Sequence, residues 1–366
     1  MILYDPALNM NFHDYGILLP IAPDRGKQIL EFMNKHYYPG TRGATMPYPG
    51  PAMNINDAIE FLGISEHTII TREDLERVHS KEFVDSLYDK QGNSLESALL
   101  TTYELIDAQG KPNRYEPQQA IKPLGGLFQT ILSHVGGTYL TCRLALAEGP
   151  GFCFFMGGGM HHARYDSGSG FCLVNDIVIA ISKLLSELSL PLIWIIDLDA
   201  HKGDGTAELI HFARKRGELQ NVLALSVHMA RGWPLDADSI VAAKEGHAPL
   251  LSSDVDIGID LDEEDQYTPR LIRGIKELER LSSSLYPDRQ NPDLILVVDG
   301  ADPYEHDGLP STSFLKLSLE QCLLRDNYVY RYVMDRGIPS AWIQSGGYGS
   351  RAWEPPAHFL LKLKIN

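Results

Sequence analysis

Two apolar patterns alternate along the chain. Short runs dense in β-branched and aromatic residues read as buried strands: Phe152 to Met156, Ile193 to Ile196, Val222 to Val227, Val255 to Ile259, Leu294 to Val298 and Ala341 to Gln344. Between them apolar residues recur at helical spacing. Val174, Ile177, Val178, Ile181, Leu184, Leu185 and Leu188 define one amphipathic helix. Tyr267 to Leu285 and Leu315 to Met334 predict two more. Phe128 to Ala147 is apolar nearly throughout and carries Gly136-Gly137, which predicts a buried helix packed closely on a neighbour. Thr71 to Asp74 has the spacing of a capping box, ahead of helices running towards Tyr88. Met1 to Leu30 opens with a short strand-like piece and a loop holding a solvated His13. Pro39 to Pro51 reads as a surface loop and Asp89 to Pro117 as polar and irregular. Strands that alternate with helices imply an α/β fold, a mostly parallel multi-stranded sheet with helices on both faces. No repeat, linker or low-complexity tract divides it, so a single domain over residues 1–366 is expected.

Polar clusters follow the apolar strands on the same side. His161-His162, then Asp197, Asp199 and His201, then Ser226 and His228, then Asp302, then Ser345 to Tyr348, each come after a strand. In an open parallel sheet the carboxyl ends converge on one crevice, where ligands bind. A single Asp-x-Asp-x-His is as easily a solvated strand end; five clusters in register are not. Alternation along an extended chain puts Asp197, Asp199 and His201 on one side. Asp199, His201 and Asp302 would supply three metal ligands and leave a position open, the arrangement in which a bound water becomes nucleophilic near neutral pH. Zinc suits the mixed oxygen and nitrogen donors; iron(II), cobalt and manganese suit them too. The histidine pair on its glycine-rich turn could move a proton between that water and a leaving group, given a carboxylate behind each ring. Asp197 and Asp204 are the spare carboxylates. Tyr348, after two glycines that allow close backbone approach, could donate to an oxyanion.

Composition narrows the class. The chain has 366 residues, 44% hydrophobic and 22% charged, with a net charge of −16. That is enough to bury a large core. The acidic balance argues against direct binding of nucleic-acid backbones and tolerates cationic partners such as lysine-rich tails or polyamines. Four cysteines, Cys142, Cys153, Cys172 and Cys322, sit apart in apolar surroundings and read as buried free thiols in a reducing compartment. No signal-peptide pattern and no apolar run of about 20 residues is present, so a cytoplasmic protein off the membrane is expected.

Gly157-Gly-Gly-Met-His161-His162, Gly170-Phe-Cys-Leu-Val-Asn175-Asp176, Asp197-Leu-Asp-Ala-His-Lys-Gly-Asp-Gly205, Gly300-Ala-Asp302 and Ser345-Gly-Gly-Tyr348 together resemble the signatures of the zinc-dependent histone deacetylase family. That family also holds acetylpolyamine amidohydrolases and other bacterial amide hydrolases. The Asp-Leu-Asp-Ala-His and Ser-Gly-Gly-Tyr forms are most similar to the class IV branch and its bacterial relatives. The resemblance implies an arginase-like fold and zinc on Asp199, His201 and Asp302. It implies His162 as general base and acid, His161 as its electrostatic partner, Asp204 orienting His162 and Asp197 orienting His161. Tyr348 would polarise the amide carbonyl. Asp197 and Ser226 match a structural monovalent-cation site, usually potassium. Gly170 and Phe171 match one wall of an acyl-lysine tunnel, with Trp233 chosen for the opposite wall. Lys202 departs from the second histidine many members carry after the ligand. The stretch Asp302 to Pro310 departs from the usual Leu-Gly-Gly ending, and Glu116 is the only acid between Gly110 and Gly137 where a rim aspartate is common. The expectation is a deacetylase, or a deacylase of longer fatty acyl groups, acting on acyl-lysine peptides or proteins. The rivals are an amidohydrolase of small acylated amines such as acetylpolyamines, a catalytically silent acyl-binding module, and a two-manganese ureohydrolase, which needs more carboxylates than these motifs supply.

Overall fold

A computed structural model describes residues 1–37, 52–66, 69–107, 109–147, 149, 151–236, 250–289 and 291–363. Seven strands, β1 (Ile2–Leu3), β2 (Phe152–Phe155), β3 (Ile193–Asp197), β4 (Val222–Met229), β5 (Val255–Ile259), β6 (Leu294–Asp299) and β7 (Ser340–Gln344), form one sheet in the order β1-β2-β7-β6-β3-β4-β5. Every pairing is parallel, so every connection must cross over the sheet, and both faces are covered. Alternation along β3 shows how. Ile193 and Ile195 pack into one apolar cluster with Leu140 and Ile177, from helices Leu127–Ala147 and Asp176–Glu187. Trp194 and Ile196 pack into the other with Ile29, Ile275, Val329 and Phe359, from the helices covering the opposite face. The α/β reading is therefore borne out.

β3 lies between β4 and β6, where the winding of the chain changes direction. The loops after β3, β6 and β7 leave three neighbouring strands at the same edge, which is where such a sheet opens a crevice.

Three stretches differ from the sequence reading. Within Asp89 to Pro117 lies a helix, Asn93–Thr102, which buries only Leu99 and Thr102, too thin an apolar stripe to stand out as a period. The helix expected from Leu315 begins at Leu319, because Ser318 caps it: its hydroxyl accepts from the Gln321 N–H and the Gln321 side chain accepts from the Ser318 N–H. A helix, Arg25–Tyr37, starts inside the segment read as strand and loop. The loop expected over Pro39 to Pro51 lies outside the described residues. All four cysteines are free and buried. No helix among the described residues is long and apolar enough to cross a membrane.

Two buried histidines tie the crossover helices to the loops. The Asn175 N–H donates to His79 Nε2, and His79 Nδ1–H donates to the Arg164 carbonyl. The Gly158 N–H donates to His134 Nδ1, and His134 Nε2–H donates to the Leu8 carbonyl. Each ring needs a lone pair on one nitrogen, so each is neutral. Burial pushes both down to about 4. In the unfolded chain they titrate near ~6.5, so between that pH and about 4 the unfolded state binds more protons. Stability from these two groups is present above pH ~6.5 and is lost as pH falls towards 4. At pH 5 each should remove about 2 kcal/mol. Urea unfolding at pH 7 and pH 5 measures the loss, and His134→Ala should shed its share of the pH slope while lowering stability at both.

Candidate active site

The metal-type cluster forms where the loops after β3 and β6 meet. Ligand atoms of Asp199, His201 and Asp302 all lie within 4.8 Å of one another, and all three side chains are buried. His201 Nδ1 stands 3.3 Å from Asp199 Oδ1 and 3.1 Å from Asp302 Oδ2. Its Nε2–H donates to Ser311 Oγ at 3.0 Å, which fixes the tautomer and aims Nδ1 at the carboxylates. The remaining oxygens are held from behind. Asp199 Oδ2 accepts from the Ser345 hydroxyl and the Gly346 N–H, and Asp302 Oδ1 from the Ala200 N–H. Gly346 is required here: a Cβ would stand 2.6 Å from Asp199 Oδ2 and from Asp302 Oδ2. Burial and the Asp199 charge push the Asp302 carboxyl up to about 7. Burial alone would lower His201, but Asp199 and Asp302 outweigh it and raise the imidazole to about 9. A pocket that concentrates two carboxylates and an oriented imidazole is built for a cation, and this donor set fits a divalent metal.

The histidine pair sits beside it. Its turn, Gly157 to His162, is pinned by buried Asp176, whose carboxylate accepts from the Gly159 and Met160 N–H groups and from Thr138. The two rings lie 3.9 Å apart between centroids. His161 Nδ1–H donates to Asp197 Oδ2 and His162 Nδ1–H to Asp204 Oδ1, each at 2.7 Å. The environments then separate the two. For His161, burial is outweighed by Asp197 and Asp199, and its pKa is raised to about 10. For His162, burial and the neighbouring His161 charge win, and its pKa falls to about 4. One ring is a cation near neutral pH and the other a free base. Asp204 is also held by Arg164 at 2.8 Å and stays ionised. Asp197 accepts from the Asp199 N–H as well. It therefore faces His161, not the metal cluster with Asp199 and His201, because β3 ends at Asp197 and strand alternation does not continue past it.

Tyr348 lines the same cavity as His161, His162 and Phe171. Burial, then the Asp302 and Asp199 charges, hold its phenol well above the usual range, so it keeps its proton. Its ring meets that of Phe171 edge-on at 6.3 Å. Gly170, at φ +52°, has no room for a Cβ against the Trp233 ring and His162. Trp233 packs edge-on against His162 at 4.5 Å and His201 at 5.7 Å, so the chosen wall residue stands deep beside the imidazoles. Asp197 and Ser226 are register partners across β3 and β4. Lys202, buried, turns away to pair with Asp256. The side chain of Glu116 pairs with neighbouring Gln119.

Residues given no role in the sequence reading complete the scaffold. Asp307 accepts from the Tyr348 N–H at 2.7 Å, from the Leu309 N–H and from the Thr312 hydroxyl. Arg25 donates to the carbonyls of Ser345, Gly346 and Gly347. Asp307 had a local signal, an acid before Gly-Leu-Pro in the loop after Asp302. Arg25 had none, since its partners are over 300 residues away.

A family model described as "Histone deacetylase domain" matches residues 20–361. Histone deacetylase 2 of Arabidopsis thaliana is 28% identical over 292 residues, covering 79% of this chain and 64% of its own. Histone deacetylase 6 of the same plant is 25% identical over 355 residues, 93% of this chain and 68% of its own. The acetoin utilization protein AcuC of Staphylococcus aureus is 24% identical over 292 residues, 79% of this chain and 67% of its own. The matched stretch of this chain spans a little under two thirds of the first of these relatives.

Proposed function

The chain belongs to the histone deacetylase domain family, and from that premise we propose that it is a metal-dependent amide hydrolase removing acyl groups from Nε-acyl-lysine. The observation that carries this is two adjacent imidazoles, each donating Nδ1–H to its own buried carboxylate at 2.7 Å, beside an Asp-His-Asp cluster, with surroundings that drive their pKa values apart. Such separation assigns a base and a charge stabiliser to one site. Asp199, His201 and Asp302 would hold the ion, zinc by choice, which when bound supplies an acidified water and a polarised carbonyl. His162, its Nδ1–H fixed on Asp204, presents Nε2 as the base that would accept a proton from the attacking water and as the acid that would pass it to the lysine amine. Cationic His161 stabilises the negative charge that develops. Tyr348 donates its retained proton to the carbonyl oxygen as it becomes an oxyanion. Phe171 and Gly170 flank the lysine stem, with Trp233 beside His162. We place a potassium ion on Asp197 and Ser226, supported by their adjacency and oxygen-only donors. The four buried thiols fit a reducing compartment, and the cytoplasm is the proposed location.

The cavity that His161 and His162 line, of about 140 Å3, is also lined by Gly157 to Gly159 and by Met10, Phe12, Ile21 and Met156. That gives space beyond an acetyl group. Purified protein, metal-replete, incubated with lysine peptides bearing acyl chains of graded length and with acetylputrescine tests the reading. Turnover of acyl-lysine is the expected result. Turnover of acetylputrescine alone would move the protein to small amines, and turnover of neither would leave an acyl-binding module. Tyr348→Phe deletes the donor and keeps the ring. It should lower kcat by ~10²–10³ with little change in metal content or Tm; wild-type rates would leave Tyr348 a packing residue.

A further inference from the structure

The cavity that His161 and His162 line is not uniformly apolar. Gln344, the last residue of β7, lines it and is 1% exposed. Neither its Oε1 nor its Nε2 has a hydrogen-bond partner among the described residues. A buried primary amide with both ends unpaired is rare, because both donor and acceptor lose water and gain nothing. Arg25 lines the same cavity. Its guanidinium donates to the carbonyls of Ser345, Gly346 and Gly347 and pairs with no carboxylate among the described residues. An amide without partners and a cation bound only to carbonyls thus face a space whose other walls include Met10, Phe12, Ile21 and Met156.

We infer that Gln344 determines which acyl groups are accepted, and that the favoured class is a short acyl chain carrying an oxygen at its far end, a hydroxyl or a carboxylate. This rests on the proposed acyl-lysine hydrolysis and specifies its acyl side. The chain's methylenes would lie along the methionines, Phe12 and Ile21. Its terminal oxygen would reach the Gln344 amide, with the Arg25 charge favouring an anionic end. A plain alkyl chain of the same length would leave the amide unpaired, and a site built to bond a hydroxyl discriminates strongly against the analogue lacking it. An acetyl group carries no oxygen beyond its carbonyl and would be turned over without this selection.

The test compares lysine peptides acylated with straight chains of one length ending in methyl, hydroxymethyl or carboxylate, assayed as kcat/KM with wild-type protein and Gln344→Leu. In the wild type at least one oxygenated chain should exceed the alkyl chain by about tenfold or more. In Gln344→Leu the ratio should invert, through a faster alkyl substrate and a slower oxygenated one. A carboxylate preferred over the hydroxyl assigns the larger share to Arg25, and the reverse to Gln344. An alkyl chain preferred by the wild type overturns the inference, and that measurement needs no variant to fold. Loss of all acyl-lysine turnover, acetyl included, instead defeats the parent reading.

Discussion

Asp302→Ala should abolish amide hydrolysis and leave the purified protein with less than one metal ion per chain. The carboxylate does three things that alanine cannot. It faces His201 Nδ1 across 3.1 Å, it supplies the second negative charge within 4.8 Å of Asp199, and it accepts the Ala200 N–H that holds the β3 loop in place. The same result is expected for Asp199→Ala and His201→Ala, and elemental analysis beside an activity assay measures both quantities. A variant that keeps full metal and turns over normally removes that residue from the ligand set. The pH dependence has a definite sign. Without an ion, Asp302 sits up at about 7 and His201 at about 9, so protons occupy the cluster near neutrality. Protons and metal compete for the same lone pairs, and apparent metal affinity should rise with pH across that range. Asp302→Asn separates charge from shape: it keeps an oxygen for Ala200 and loses the charge, so metal affinity should drop while the loop stays in place.

The second large effect is on proton transfer. His162→Ala should keep the metal and the fold and lose ~10²–10⁴ in kcat. The ring is a base because Asp204 fixes one nitrogen, and burial together with the His161 charge keeps the other unprotonated. Its low pKa, about 4, means that its neutral form is fully populated at pH 7, so the acid limb of its titration lies well below neutrality. His161→Ala should cost less directly. It removes the positive charge that depresses His162, so the His162 pKa should also rise. If His161→Ala proves far more damaging than His162→Ala, the two roles are reversed. Steady-state kinetics of both variants across pH 5 to 9 makes the comparison.

The sequence carried the parts of the site that lie on short loops directly after apolar strands. Asp199, His201 and Asp302 come together as their positions imply, since parallel strands deliver all three to one edge. The carboxylates behind the histidines were legible for the same reason, Asp197 ending β3 and Asp204 lying on the segment that follows it. Contacts that depend on three-dimensional packing were not. Asp197 reads as a neighbour of Asp199 on one face, but the strand ends and the chain turns, so the two serve different partners. That the Trp233 indole packs on two imidazoles, close against Gly170, is likewise visible only in three dimensions. Arg25 acts through backbone groups more than 300 residues away and Gln344 through a cavity wall built from several elements, and spacing holds no record of either. The helix Asn93–Thr102 was missed because local apolar period is weak where few side chains are buried.

The parallel order of the sheet also governs when the site comes into existence. Asp199 and Asp302 approach each other only because β3 and β6 are neighbours, and Gly159 meets Ser345 across 186 residues. Closing spans of that length in a disordered chain would cost entropy that three ligand bonds would have to offset. Here strand pairing holds those spans together in the folded chain. The proposed metal ligands therefore stand on neighbouring strands of a fully paired sheet, unlike those of small domains that fold around their zinc. A nascent chain lacks the Tyr348 loop until β7 has been synthesised, so the cavity that Tyr348 lines is completed late, with the last strand of the sheet.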